Sequence, residues 1–250
     1  DRSLSIRYDA AACRAAPGAD TSLPDTQICW NLMLSAVQNL AAQTLKLGPS
    51  GGMGWQASQA DKKKGLRVTV LGFACANDQT DPVVVRIGEN LDSQAAFDAA
   101  ISTAKTSILP TGGTCPSGAL QQAIGLIQQS LDRPLKTAVL ISDGIFYDTP
   151  FTNRAVNALE YYGVARFALG IGLPVKKYPG GLKKWQLKVQ KEQLARFAGV
   201  ASNQFNLGED GFGLLTKVTN EIAALLPSSF IGGLLTRIKE NPYFCPGFSN

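Results

Sequence analysis

Histidine is absent from the 250 residues of this chain. Its absence removes the usual proton shuttle, the Ser–His nucleophile pair and the commonest zinc ligand. The chain also lacks the Gly-x-x-x-x-Gly-Lys-Ser/Thr motif of phosphate-binding loops, so we do not expect it to hydrolyse ATP by that route. The sequence shows no carboxylate paired with a nucleophile in one cleft, and we therefore expect that the protein is not an enzyme.

Long apolar runs are absent as well. No stretch approaches the roughly 18 apolar residues that a membrane-spanning helix needs, so we expect no membrane span in this chain. No basic and then apolar leader opens the sequence, and we expect that any secretion signal lies upstream of residue 1 or has been removed. No RNA- or DNA-reading motif occurs, so we expect no nucleic-acid partner.

Charged residues of both signs make up 17% of the chain, and the formal net charge is +5. Much of the excess comes from two Lys-rich stretches, residues 62–64 and 176–191. Both stretches are typical of ordinary solvated loops. The alternative is that the loop 176–191 binds an acidic glycan or another anionic surface.

Cysteine is scarce and irregularly spaced. The five cysteines include no Cys-x-x-Cys pair, which argues against a structural zinc site. They are typical either of disulfide bonds or of scattered buried thiols. Because their number, five, is odd, at least one of them has no partner within this stretch.

What the sequence does contain is an alternation of apolar strands and amphipathic helices. "LRVTVLGFA" and "PVVVRIG" predict an antiparallel hairpin, "TAVLIS" and "ARFALGIG" predict buried strands, and "NQFNL" predicts a short edge strand. Helical periodicity predicts helices over residues 31–48, 93–107, 119–131, 151–162, 190–199 and 210–226, the second of them capped by Ser93, with irregular segments at 7–30 and 49–65. The pattern favours a doubly wound α/β fold, with a mostly parallel sheet, one antiparallel edge strand and helices on both faces.

Three polar segments fall where such a fold binds ligands, at the carboxyl ends of its strands. "DRSLS" opens the chain, "TGGT" precedes a helix and "SDG" follows the strand "TAVLI". Together they offer only oxygen donors, from Asp1, Ser3, Ser5, Thr114 and Asp143. This donor set suits Mg²⁺, with Mn²⁺ or Ca²⁺ as substitutes, and leaves room for a carboxylate from another molecule. The plainer alternative is that these residues only cap helices and form turns.

The same three motifs, in this order, resemble the metal-ion-dependent adhesion site of von Willebrand factor A domains, also called integrin I domains. The resemblance covers residues 1–6 and 31–226, and "AVNALEYYGVARFALGIG", "EQLARFAG" and "FGLLTKVTNEI" look like the family's later helices and strand. It implies one domain over residues 1–226, followed by a tail at 227–250. It also implies that the five oxygen-bearing residues hold a metal ion, whose shell a partner's Asp or Glu completes.

The chain departs from the family pattern at several places. The family commonly has Gly where Leu4 stands, and small polar residues where Cys115-Pro116 follow the Thr. Residues 7–30 form a long insertion, which we expect on the metal face. In the family a central strand precedes the Asp-x-Ser-x-Ser motif. We therefore expect that the natural chain continues upstream of residue 1, or that a partner chain donates this strand.

The resemblance places Cys13, Cys29, Cys75 and Cys115 at the carboxyl-end side of the sheet. We expect two disulfides among them, with Cys13–Cys29 as the first choice. Cys245 lies in the tail, where it would pair with a cysteine upstream of residue 1. Disulfides favour the secretory route, and the alternative is five reduced thiols in a cytosolic protein.

The expected function is that of an extracellular or cell-surface adhesion module, which captures an Asp or Glu of a protein ligand through Mg²⁺. The alternative is a structural subunit of an extracellular filament or matrix, in which the metal site is incidental. A third possibility is an accessory of an ATP-driven intracellular complex. We expect the domain to belong to a longer chain or assembly.

Overall fold

The computed structural model describes most of the predicted domain. The described residues are 1–2, 10–46, 67–76, 80–130, 136–142, 145–171, 184–207, 217–222 and 224–225. The predicted loop 49–65 lies outside them, as do the tail 227–250 with Cys245 and residues 176–183 of the Lys-rich stretch 176–191. None of the helices in the described part is long and apolar enough to cross a membrane.

Helices and strands follow one another largely as the sequence predicts. The helix predicted over residues 190–199 begins six residues earlier, at Lys184, within the stretch predicted to be a basic loop. The helices are α1 (Ala10–Ala15), α2 (Asp25–Lys46), α3 (Gln94–Ser107), α4 (Ser117–Gln129), α5 (Thr149–Tyr161) and α6 (Lys184–Ala198). The strands are β1 (Val68–Cys75), β2 (Pro82–Leu91), β3 (Thr137–Ser142), β4 (Ala165–Ile171) and β5 (Gln204–Leu207). Residues 217–222 and 224–225 are helical, within the predicted last helix 210–226.

The strands form two sheets instead of the single doubly wound sheet that the sequence predicts. β1 and β2 pair antiparallel, which confirms the predicted hairpin. β3, β4 and β5 form a parallel sheet in that order, with β5 at one edge, as predicted. No described strand lies between β1 and β3, so the prediction of one continuous sheet is wrong for the described part of the chain.

Residues 1–2 lie between the two sheets and bond to both. The backbone nitrogen of Asp1 donates to Ile141 O in β3 at 3.0 Å, and the Arg2 N–H donates to Phe73 O in β1 at 2.9 Å. Successive residues of an extended chain direct their N–H groups to opposite sides. The two residues therefore bridge the sheets as a central strand would.

Helices cover both faces of the strands. Along β4, Phe167 and Leu169 pack into a core with α1, α2 and α3, while Ala168 packs into a second core with α4, α5 and α6. Because neighbouring strand residues point to opposite faces, this alternation puts one helical layer on each side. The layered α/β arrangement that the sequence predicts is present, although its sheet is divided.

The prediction of an irregular segment over residues 7–30 is wrong in part. α1 begins at Ala10, and α2 begins at Asp25, six residues before the helix predicted from residue 31. The two helices pack together, and the Cys13–Cys29 disulfide joins them with a Cα–Cα distance of 5.3 Å. This confirms the expected first disulfide.

Candidate functional site

Two of the predicted site residues, Asp1 and Thr114, lie in the described part of the chain, whereas Ser3, Ser5 and Asp143 lie outside it. Asp1 and Thr114 are both buried, with 7% and 2% of their surface exposed. Each lies against the carboxyl end of a strand, Asp1 beside β3 and the Thr114 loop beside β1. The structure therefore brings two of the three predicted motifs to the edge where such folds bind ligands.

The Asp1 carboxylate is held by a residue of the third motif. The hydroxyl of Ser142, the last residue of β3, donates to Asp1 Oδ2 at 2.7 Å, and Ser142 is 1% exposed. Ser142 directly precedes Asp143 in the chain. The first and third motifs are thus joined by a buried hydrogen bond to a charged group, a kind that contributes about 1.5–3 kcal/mol.

The loop that carries Thr114 is pressed against the end of β1. The Cys75 N–H donates to Gly113 O at 2.7 Å, and the Cys75–Cys115 disulfide closes the contact with a Cα–Cα distance of 4.9 Å. Gly112 has φ +58°, and a Cβ there would lie 1.8 Å from Cys75 O. Only glycine fits this approach. With Cys13–Cys29, this bond makes up the two disulfides expected among these four cysteines.

A second contact holds Thr114 from the side of β3. The Tyr147 N–H donates to Thr114 O at 2.9 Å, and Thr114 forms a parallel bridge with Phe146. Residues 145–148, which we call the β3–α5 loop, follow Asp143-Gly144 in the chain. The backbone of Thr114 is therefore fixed to the segment that comes just after the third motif.

Arg2 adds a buried positive charge beside this edge. Its Nη1 donates to Leu109 O at 2.9 Å, and its backbone O accepts from the Thr111 N–H at 2.8 Å. Burial lowers the pKa of the guanidinium, because the charged form loses its hydration. Arg2 thus ties the first motif to residues 109–111, which lead into the Thr114 loop.

The donor chemistry of the described residues fits a hard divalent cation. Asp1 offers a carboxylate that the Ser142 hydroxyl orients, and Thr114 offers a hydroxyl, and both are oxygen donors of the kind that Mg²⁺ prefers. Within the described ranges, no three Asp, Glu, Cys or His side chains come together in a way that could hold a metal ion. The predicted set has only two carboxylates, and one of them, Asp143, is outside those ranges.

Three residues around the site were not among the predicted ones. Ser142 orients Asp1, Asp148 accepts the Ser117 N–H at 2.9 Å, and Gln193 bonds to the backbone of Phe146. For Ser142 a signal was present, because it belongs to the Ser-Asp-Gly motif. For Asp148 and Gln193 no sequence motif indicates the contact, since their partners lie 31 and 47 residues away.

Three solved structures of proximal thread matrix protein 1 from the mussel byssus resemble this chain. Two of them match with TM-scores of 0.53 and 0.54 at 18% identity, and each match covers 84% of this chain and 43% of the neighbour. The third matches with a TM-score of 0.54 at 16% identity, over 89% of this chain and 45% of the neighbour. One of the three is described as having a zinc-occupied metal-ion-dependent adhesion site.

The likeness establishes a von Willebrand factor A-like fold for this chain. The chain spans less than half the length of these structural neighbours. No protein-family model matches the sequence, and no curated protein is similar to it.

Proposed function

We propose that this protein is an extracellular binding module, which captures an Asp or Glu side chain of a partner protein through a divalent cation. The cation is Mg²⁺, with Mn²⁺ or Ca²⁺ as substitutes. Its ligands are Asp1, Ser3, Ser5, Thr114 and Asp143. The observation that carries the proposal is the buried Asp1 carboxylate, bonded to Ser142 at the edge where Thr114 also lies.

The residues of this edge would act by holding the donors in place. Ser142 and the disulfide at Cys115 orient Asp1 and the Thr114 loop before any partner arrives, which lowers the entropy lost on binding. When bound, the cation would supply the positive charge that attracts the partner's carboxylate. Because hydroxyls carry no formal charge, a set with two carboxylates leaves the ion attractive to a third carboxylate.

An extracellular setting is supported by two observations. Both disulfides close buried cysteine pairs, and such bonds persist in oxidising compartments. The structural neighbours are matrix proteins of the mussel byssus, and one carries a divalent metal at its adhesion site. We propose binding without an enzymatic step.

Thermal unfolding in excess Mg²⁺ and in chelator tests the metal site. A ligand at 100 times its Kd stabilises a protein by about 2.7 kcal/mol, which raises the midpoint by roughly 5–10 °C for a domain of this size. We expect this shift in the natural protein and in the exposed control Asp92→Ala, and no shift in Asp143→Ala. An equal shift in Asp143→Ala would rule out the proposed ligand set.

Partner capture is tested with two peptides that differ only in Asp against Asn. We expect Mg²⁺-dependent binding of the Asp peptide alone, and its loss in Thr114→Ala, whose unfolding transition stays cooperative. Binding that survives both the chelator and Thr114→Ala would exclude the adhesion mechanism.

The second candidate function is a structural subunit of an extracellular filament or matrix. It is favoured by the byssus matrix neighbours, of which this chain covers less than half. This function predicts self-association that is the same in Mg²⁺ and in chelator. Analytical ultracentrifugation under both conditions separates the two candidates.

A further inference from the structure

Gln193 of α6 bonds to the β3–α5 loop as a strand would. Its Oε1 accepts the Phe146 N–H at 2.9 Å, and its Nε2 donates to Phe146 O at 3.2 Å and to Thr149 Oγ1 at 2.7 Å. A glutamine amide has both a donor and an acceptor, so one side chain satisfies both backbone groups of Phe146. Phe146 is 3% exposed, and a buried backbone N–H that has lost its acceptor is costly.

The loop that Gln193 holds is the one that fixes Thr114. The residue after Phe146 donates its N–H to Thr114 O, and Phe146 itself forms the parallel bridge with Thr114. The chain of contacts from Gln193 to Thr114 therefore passes through the backbone of one residue. A shift of Phe146 must move Thr114 or break these bonds.

The far end of the same loop is fixed to another helix. Asp148 is 2% exposed, and its Oδ2 accepts the N–H of Ser117, the first residue of α4. Its Oδ1 accepts the Thr152 hydroxyl at 2.8 Å. The loop is thus held at Asp148 independently of Gln193, and loss of Gln193 would free Phe146 and Tyr147 without releasing the whole loop.

We infer that Gln193 is a positioning residue of the cation site, through which α6 holds the β3–α5 loop and thereby Thr114. The inference rests on the proposed function, since it assigns the cation affinity partly to a helix that contributes no ligand. It also links the affinity to the position of α6, whose first eight residues, 184–191, belong to the Lys-rich stretch 176–191. A ligand that displaced α6 would weaken cation binding.

The test compares Gln193→Met with a matched control. Methionine has a similar length and helix propensity but cannot make the three hydrogen bonds. The control is Gln128→Met on α4, which removes a bond from an exposed glutamine to Tyr162 Oη, 2.7 Å long. Calorimetric titration with Mg²⁺ alone, at a temperature where every variant is folded, gives the Kd. We expect the Kd to rise about tenfold in Gln193→Met, equal to about 1.4 kcal/mol, and to stay unchanged in Gln128→Met.

A second variant tests the same contact without changing Gln193, in case Gln193→Met fails to fold. Thr149→Val removes the hydroxyl that accepts from Gln193 and that donates to Phe146 O at 2.8 Å. We expect a smaller rise of the Kd than in Gln193→Met. An unchanged Kd in Gln193→Met, in a preparation where Asp143→Ala abolishes Mg²⁺ binding, would overturn the inference and leave the proposed function standing.

Amide hydrogen exchange without metal separates failure of the inference from failure of the proposed function. Gln193→Met should speed the exchange of the Phe146 and Tyr147 amides at least tenfold, while amides of β4 keep their protection. If the natural protein binds no Mg²⁺, the proposed function fails. The exchange rates then test by themselves whether Gln193 holds Thr114 in place. Unchanged exchange at Tyr147 would overturn that anchoring role.

Discussion

The carboxylate of Asp1 is buried beside a strand end, and a buried charge is stable only when hydrogen bonds replace its hydration. Ser142 supplies one such bond from within the fold. Its hydroxyl therefore stabilises the folded protein and, in the same geometry, orients the first predicted ligand. A single substitution at Ser142 should affect both properties.

We predict that Ser142→Ala lowers the free energy of unfolding by about 1–3 kcal/mol, because it removes a buried hydrogen bond to the Asp1 carboxylate. It should also reduce the Mg²⁺-induced rise of the unfolding midpoint. The matched control is Ser107→Ala on α3, where an exposed hydroxyl bonds to Thr103 O. The control should change stability by less than about 0.5 kcal/mol. Equal losses in the two variants, measured by urea unfolding, would contradict the role of Ser142.

At this scale the sequence predicts local contacts well and distant contacts poorly. Ser93 was predicted to cap α3, and its hydroxyl accepts the Ala96 N–H at 3.3 Å. Asp148 precedes α5 and has the position of a cap, yet its carboxylate makes no capping bond to α5 and instead bonds to the first N–H of α4. A capping rule depends on neighbours in sequence, whereas this contact depends on how two helices pack.

Among the elements, the two disulfides differ in what they hold. Cys13–Cys29 joins α1 to α2 and closes a loop of 16 residues, whereas Cys75–Cys115 joins the end of β1 to the Thr114 loop over 40 residues. Loop entropy alone predicts stabilisation of about 3 and about 4 kcal/mol. Only the second bond lies beside the candidate site.

We predict that Cys75→Ala/Cys115→Ala weakens Mg²⁺ binding, because the Thr114 loop loses its covalent hold on β1. Cys13→Ala/Cys29→Ala should lower the unfolding midpoint by a comparable amount and leave the Kd of the folded protein unchanged. Calorimetric titration below both midpoints measures the difference. Equal Kd values for the two double variants would show that the disulfide is not needed to position Thr114.

The element boundaries show where sequence patterns lose information. The hairpin of β1 and β2 was predicted because its connection is too short for a parallel crossover. The start of α2 was missed because its first turn, from Asp25, is polar and carries little apolar periodicity. Pro24 just before it was the available sign, since the Ile28 N–H donates to Pro24 O at 3.1 Å.

For the whole molecule, the excess positive charge concerns partners more than the fold. We predict that Lys183→Glu/Lys184→Glu weakens retention on a sulfated polysaccharide, whereas the matched pair Lys63→Glu/Lys64→Glu does not. The effect should shrink as salt rises, because exposed charges are screened. Salt gradients on the polysaccharide column measure it. Equal retention of both variants would show that the 176–191 stretch, which is helical from Lys184, is an ordinary solvated surface.

The sequence predicted the helical layers on both faces of the strands, but it did not predict that the strands form two separate sheets. Apolar periodicity shows which face of each element is buried, and the two cores follow from it. The division between β1 and β3 depends on which strands pair, and pairing is a contact between distant residues that no local pattern records. The predicted ligands Asp1 and Thr114 reached one edge because both lie against strand ends on either side of that division.

The disulfides also determine how far this chain lengthens under tension. A chain pulled from its ends cannot extend through a closed covalent loop, at about 3.5 Å per residue. The 16-residue loop thus withholds about 55 Å of extension, and the 40-residue loop withholds about 140 Å. Force applied along the backbone bypasses residues 76–114, Thr114 among them, since the load crosses directly from Cys75 to Cys115. Under tension the disulfide would therefore keep the residue after Thr114 attached to the end of β1 while the other contacts of the domain break.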